Sequence, residues 1–103
     1  MKILVIGKGG REHALAYACK RSALCDELIC APGNPGMAKI GGCVNVKDND
    51  VEGLVALAKE RNVDLTIVGP EATLALGVVD AFKKEGLKIF GPDKKATQVE
   101  SSK

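Results

Sequence analysis

Lys2-Ile3-Leu4-Val5-Ile6-Gly7-Lys8-Gly9-Gly10-Arg11-Glu12-His13 opens the chain, and this stretch decides the fold. A strand pattern over 2–6, apolar from Ile3 to Ile6, ends at a glycine turn, and a helical pattern follows at once. Continuous apolar runs of this kind suit strands covered on both faces, as in parallel sheets. The run is far too short for a secretory core or a membrane span. Glycines allow a tight turn and a close approach of backbone to ligand. The helix after them presents unpaired N–H groups and the positive end of its dipole. An anion, most simply a phosphate, fits there, and Arg11 can add a bidentate contact. A plain strand-to-helix turn without ligand accounts for the same residues.

Outward from this unit the pattern repeats. Further apolar segments lie at 27–31, 43–46, 63–68 and 87–90. Between them run helical patterns. Residues 12–21 carry Leu15, Ala18 and Cys19 at helical spacing, and Ser22 continues it. Val51, Leu54, Val55 and Ala58 form a second stripe, with Asp48, Asn49 and Asp50 ahead as caps and Asn62 at its end. Ala75, Val78, Val79 and Phe82 form a third, and Gly86 stands where a C-cap needs a left-handed residue. This alternation predicts a Rossmann-like α/β fold: an open five-stranded parallel sheet, order 3-2-1-4-5, flanked by helices with right-handed crossovers. One substrate-binding domain is expected over 1–91 and a connector over 92–103. In the connector Pro92 breaks the chain, Asp93 can cap a helix, and Ala96, Val99 and Glu100 belong to it.

In that strand order the first and fourth strands are neighbours, and ligands bind beyond their carboxyl ends. The loops after strands one, two and four therefore hold the candidates. The second loop, Ala31-Pro32-Gly33-Asn34-Pro35-Gly36, specifies a shaped turn, and Asn34 offers donors and acceptors. The loop after strand four, Gly69-Pro70-Glu71, brings a carboxylate to the crevice. A carboxylate repels phosphate but suits the hydroxyls of a ribose. It also suits the start of the next helix through the dipole alone. The first and third of these loops together describe a site for a sugar phosphate.

Several chemistries fit poorly. Gly7 and Gly9 begin a dinucleotide fingerprint, but Glu12 holds the third glycine position and no acidic residue ends strand two. Binding of NAD is a minor alternative. No Walker loop is present. His13 sits in the first helical turn and is as well explained by holding the loop as by facing a ligand. No complete catalytic constellation is visible, and no catalytic residue is assigned. Four cysteines lack any C-x-x-C spacing and have one histidine for company, so no metal site is expected. They read as reduced thiols packed as small apolar groups. Charged residues are 27% of the chain and nearly cancel at +2, without the clustered basic face that nucleic acid requires. Aromatics at 3% are too few to stack bases. No nucleic-acid or membrane partner is expected, and the expected location is cytoplasmic.

At its loops the chain resembles the phosphoribosylamine–glycine ligase family. The resemblance rests on Val5-Ile6-Gly7-Lys8-Gly9-Gly10-Arg11-Glu12-His13-Ala14-Leu15 and Ala31-Pro32-Gly33-Asn34. Val68-Gly69-Pro70-Glu71-Ala72, Gly77-Val78-Val79-Asp80-Ala81-Phe82 and Phe90-Gly91-Pro92 continue it in the same order. The chain departs from the family pattern at Lys8 (commonly serine), Thr73 (proline), Asp93 (serine) and Ser101 (glycine). The resemblance implies the pre-ATP-grasp domain of an ATP-grasp ligase of purine biosynthesis. Such an enzyme phosphorylates the carboxylate of glycine with ATP and Mg2+ or Mn2+. The amine of 5-phosphoribosylamine then displaces the phosphate to give glycinamide ribonucleotide. The ATP-grasp domain, with nucleotide and metal, is expected after Lys103, leaving these residues catalytically incomplete alone. The resemblance also implies phosphate contact for Gly9, Gly10 and Arg11, with Glu12 in the same substrate-binding loop. It implies ribose contact for Glu71 beside Gly69 and Pro70, and a shaping role for Pro32, Gly33 and Asn34. The alternative is a stand-alone α/β module that binds a nucleotide or sugar phosphate.

Overall fold

Strand β1 (Lys2–Gly7) is buried from Ile3 onward, which follows from its place at the centre of a sheet. The computed structural model describes residues 1–91. The connector expected over 92–103 lies outside the described residues. Strand β1 pairs in parallel with β2 (Glu27–Pro32) on one side and β4 (Leu65–Val68) on the other. Strand β3 (Gly42–Cys43) extends the sheet beyond β2, and β5 (Ile89–Phe90) beyond β4. The order is β3-β2-β1-β4-β5, all parallel, as the alternation of elements predicts.

Alternate residues of the strands feed two cores. Leu4 and Ile6 pack with Ile29, Leu54, Val78 and Phe82 on one face. Ile3 and Val5 pack with Ala16, Leu28, Cys30 and Met37 on the other. Helices α1 (Gly10–Arg21) and α2 (Pro35–Ala38) therefore cover one face. Helices α3 (Val51–Glu60), α4 (Glu71–Ala75) and α5 (Val78–Lys84) cover the other. The helices after β1 and β4 thus leave the sheet on opposite sides and open a cleft between them.

Local chemistry explains most boundaries. The Asp50 carboxylate caps α3 by accepting from Gly53 N–H at 3.0 Å. Asn62, at φ 54, ends the same helix, and Val63 N–H bonds back to Ala58 O. That bond draws Val63 out of the strand, so β4 starts at Leu65 and not at 63. Leu87 likewise donates to Phe82 O, which shortens β5 to Ile89–Phe90. The strand expected over 43–46 shrinks to Gly42–Cys43, because Val46 N–H turns back to Val44 O.

Three helical expectations change. The single stripe through Ala75, Val78, Val79 and Phe82 is split at Gly77, whose φ of +83 ends one helix and starts the next. Ala75 is exposed, while Val78, Val79 and Phe82 are buried. In α1 the inward residues are Glu12 and Ala16, with Cys19 half-buried, while Ala18 and Ser22 face solvent. An alanine-rich helix has little periodic contrast, so packing and not pattern sets its rotation. Helix α2 occupies a stretch that reads as a shaped turn. Asn34 Oδ1 caps it by accepting from Met37 N–H at 2.8 Å, with Pro35 in its first turn and Met37 fully buried.

Candidate functional site

The loops after β1, β2, β3 and β4 meet at the carboxyl edge of the sheet. Because β1 lies between β2 and β4, the loop after β1 touches both neighbours. Gly33 N–H donates to Gly7 O at 3.0 Å, and Asn34 Nδ2 donates to Lys8 O at 2.8 Å. On the other side Gly69 N–H donates to Ile6 O at 3.2 Å, and Arg11 Nη2 donates to Gly69 O at 2.5 Å. The junctions that carry the glycines and Glu71 are therefore adjacent and bonded.

Helix α1 starts with Gly9 as its N-cap, and its first intrahelical bond is His13 N–H to Gly9 O at 2.9 Å. The N–H groups of Gly10, Arg11 and Glu12 consequently have no helical acceptor. Gly9 differs, because its N–H is taken by Glu12 Oε1 at 3.1 Å. Gly9 has no side chain to return that bond. An anion at this helix start thus meets the amides of Gly10 and Arg11 more readily than that of Gly9.

Glu12 is only 6% exposed. Its Oε2 lies 3.5 Å from Arg11 Nε. The Arg11 side chain is 66% exposed, so this ion pair is half open to water and Arg11 keeps a free outer edge. The Glu12 side chain also fills the room beside three glycines. A Cβ on Gly69 would lie 2.5 Å from its Oε2, and one on Gly7 would lie 2.8 Å from its Cδ. On Gly9 it would lie 3.1 Å from Oε1.

Glu71 begins α4 and is exposed, with Pro70 as N-cap. Among the described residues its carboxylate has no hydrogen bond or ion pair, which leaves it available to a ligand. Pro32 and Gly33 border a hollow of about 440 Å³ together with Lys8, Asn45, Lys47, Asp48 and Asn49. Gly33 has φ +76, and a Cβ there would run into the thiol of Cys43 and come within 3.2 Å of Cys30 Cβ. The Ala31–Pro32 peptide is cis.

Asn45 and Lys47 are residues that the sequence did not single out, and Asp48 and Asn49 were expected only as caps of the following helix. They belong to the loop after β3, and the dense polar run from Asn45 to Asp50 at a strand's carboxyl end was the signal for them. Thr73 ties this loop to the fourth junction. Its buried hydroxyl donates to Asp48 O at 2.9 Å.

His13 is half-buried with its ring against Gly36 of α2, where a Cβ would lie 2.5 Å from His13 Cε1. That packing gives it a loop-holding place. Cys30, buried in β2 just before Pro32, is no nucleophile. Burial first, and the neighbouring Cys43 thiol second, push its pKa up to about 12.

A larger hollow of about 530 Å³ lies at the opposite edge, between Met1, Asp64, Leu65, Gly86, Leu87 and Lys88. It faces the amino ends of the strands, away from the glycine turns and helix starts that suit an anion. No described helix is long and apolar enough to cross a membrane.

Known proteins bear on the same residues. The family model described as phosphoribosylglycinamide synthetase, N domain, matches residues 1–100. A phosphoribosylamine–glycine ligase of Xanthomonas campestris is 57% identical over 105 aligned positions, covering 100% of this chain and 24% of that protein. Its namesake in Haemophilus influenzae is 54% identical, with 100% and 24% covered. The one in Caldanaerobacter subterraneus is 48% identical, with 100% and 25% covered. The chain spans about a quarter of the length of these curated relatives. By the match over nearly its whole length, it belongs to the N-domain family of phosphoribosylglycinamide synthetase.

Proposed function

We propose that this chain forms the phosphoribosyl-binding part of a ligase that joins glycine to 5-phosphoribosylamine. The single observation that carries the proposal is the junction itself. Unpaired amides of Gly10 and Arg11 begin α1. The loop that bears Glu71 is bonded to them through Arg11 and Gly69. The amides and the outer edge of Arg11 suit the phosphate. The unpaired Glu71 carboxylate suits ribose hydroxyls, which donate hydrogen bonds to it. Lys8 and Lys47 add positive charge on the β2 side of the same edge.

In such a reaction the carboxylate of glycine is first converted to an acyl phosphate, since a bare carboxylate resists attack by an amine. The domain's share is to hold the sugar phosphate so that its amine is oriented toward that group. Among the described residues no three His, Cys, Asp or Glu side chains converge. On the family resemblance we assign ATP and Mg2+ or Mn2+ to an ATP-grasp portion of a longer protein. Four free thiols suit a reducing, cytoplasmic setting.

Titration calorimetry of the full-length protein with ribose 5-phosphate and with inorganic phosphate tests this. Glu71→Gln is expected to weaken ribose 5-phosphate about tenfold while leaving phosphate affinity unchanged, in line with a lost charge-assisted hydrogen bond. Equal affinity of wild type and variant for ribose 5-phosphate would return Glu71 to a helix-start acid.

A further inference from the structure

Glu12 stands out because it is a carboxylate buried on the sheet side of a surface helix, where an apolar residue is the ordinary occupant. Its two oxygens have different partners. Oε1 takes Gly9 N–H at 3.1 Å, and Oε2 faces Arg11 Nε at 3.5 Å. Arg11 in turn reaches across to Gly69 O at 2.5 Å, from the β1–α1 junction to the β4–α4 junction. Carboxylate, guanidinium and carbonyl thus make a chain of contacts between segments 58 residues apart in sequence.

The volume of Glu12 matters as much as its charge. The three atoms nearest to a Cβ on Gly69 all belong to the Glu12 side chain, and so do the three nearest to one on Gly7. Gly69 has no positive φ, so alanine there meets no backbone strain. The atoms such a Cβ would meet first are those of Glu12. Gly7 differs, since its φ of +134 disfavours any side chain.

We infer that Glu12 is a positioning residue that locks the β1–α1 and β4–α4 junctions into one rigid unit. It does this by orienting Arg11 and by occupying the space that Gly7 and Gly69 leave open. Resting on the phosphoribosyl assignment above, it acts through other groups and touches no ligand. By consuming Gly9 N–H it turns the loop so that the next amides face outward. By holding Arg11 Nε it directs the guanidinium toward Gly69 and keeps the Glu71 loop in register with the helix start. A carboxamide cannot do both, because its nitrogen is a donor and would confront either Gly9 N–H or Arg11.

The test is a double-mutant cycle in the full-length enzyme with Glu12→Ala, Gly69→Ala and the pair. Melting temperature and the KM values for phosphoribosylamine and ATP are measured for each. Gly69→Ala alone is expected to lower Tm and to raise the phosphoribosylamine KM several-fold, with the ATP KM unchanged. In the Glu12→Ala background the same substitution is expected to add almost nothing to either. Glu12→Gln, which keeps the volume and is the safer variant for folding, is expected to hold most of the Tm yet raise the phosphoribosylamine KM about tenfold, as a lost charge-assisted contact does. Strictly additive Tm effects in the cycle overturn the inference. So does an unchanged phosphoribosylamine KM in Glu12→Gln, which reduces Glu12 to a helix cap. Failure of the sugar assignment looks different: Glu71→Gln has no effect on ribose 5-phosphate, while the Tm coupling between positions 12 and 69 persists.

Discussion

Gly33 and Gly77 offer a controlled comparison of strain with crowding. Both hold left-handed backbone, at φ +76 and φ +83. Around a Cβ added to Gly77 there is no atom within 4 Å. A Cβ added to Gly33 would overlap the Cys43 thiol and lie 3.2 Å from Cys30 Cβ. Placing an L-residue in this region costs roughly 1–2 kcal/mol, and that is all Gly77→Ala is expected to lose. Gly33→Ala carries the same term plus overpacking, typically about 1–3 kcal/mol, for a loss of roughly 2–5 kcal/mol. For a domain of this size each kcal/mol shifts Tm by about 4–8 °C, so the two variants separate clearly. Urea unfolding supplies the free energies, with an unchanged m-value showing that only stability moved. Cys43→Ala removes the colliding thiol and is expected to restore the overpacking part in the Gly33→Ala background but none of the backbone part. Equal losses at the two glycines would refute the reasoning, as would a double variant no better than Gly33→Ala.

Further outcomes concern Asn34 of the same loop and Cys30 of the strand that leads into it. Asn34→Ala removes both the cap on α2 and the bond to Lys8 O, and is expected to cost roughly 1–2 kcal/mol and to raise the phosphoribosylamine KM. Unfolding together with steady-state kinetics checks it. Cys30, with its pKa pushed up to about 12 by burial and then by Cys43, is expected to resist alkylation. At pH 8 its thiolate amounts to about one part in ten thousand, so mass spectrometry after iodoacetamide is expected to find Cys43 labelled long before Cys30. Because the native state holds this proton more tightly than the unfolded chain, stability is expected to decline as pH rises from 9.0 toward about 12. Cys30→Ala is expected to flatten that decline.

The elements that the sequence displayed well are those with local causes. Apolar runs named β1 and β2 to within a residue, and Asp50 and Gly86 sat where caps belong. The short edge strands were less legible, since Val63, Val46 and Leu87 look like strand residues but spend their N–H groups on turns. Helix α2 has a local signal in its Asn-Pro pair, in which asparagine caps and proline opens the helix. The glycine loops and Glu71 were visible as a candidate site, whereas Lys47 and its neighbours after β3 were not.

Sequence alone determined the strand order and three of the four carboxyl-edge loops, because spacing of apolar and glycine residues is written along the chain, and its loop motifs carried the family resemblance. Only the tertiary structure decided that Glu12 points inward, that Arg11 spans to Gly69, and that Thr73 braces the loop after β3. Those facts depend on the rotation of α1 and on contacts between distant segments. Both are set when helices settle on the assembled sheet, and a weakly patterned, alanine-rich helix carries no local record of them.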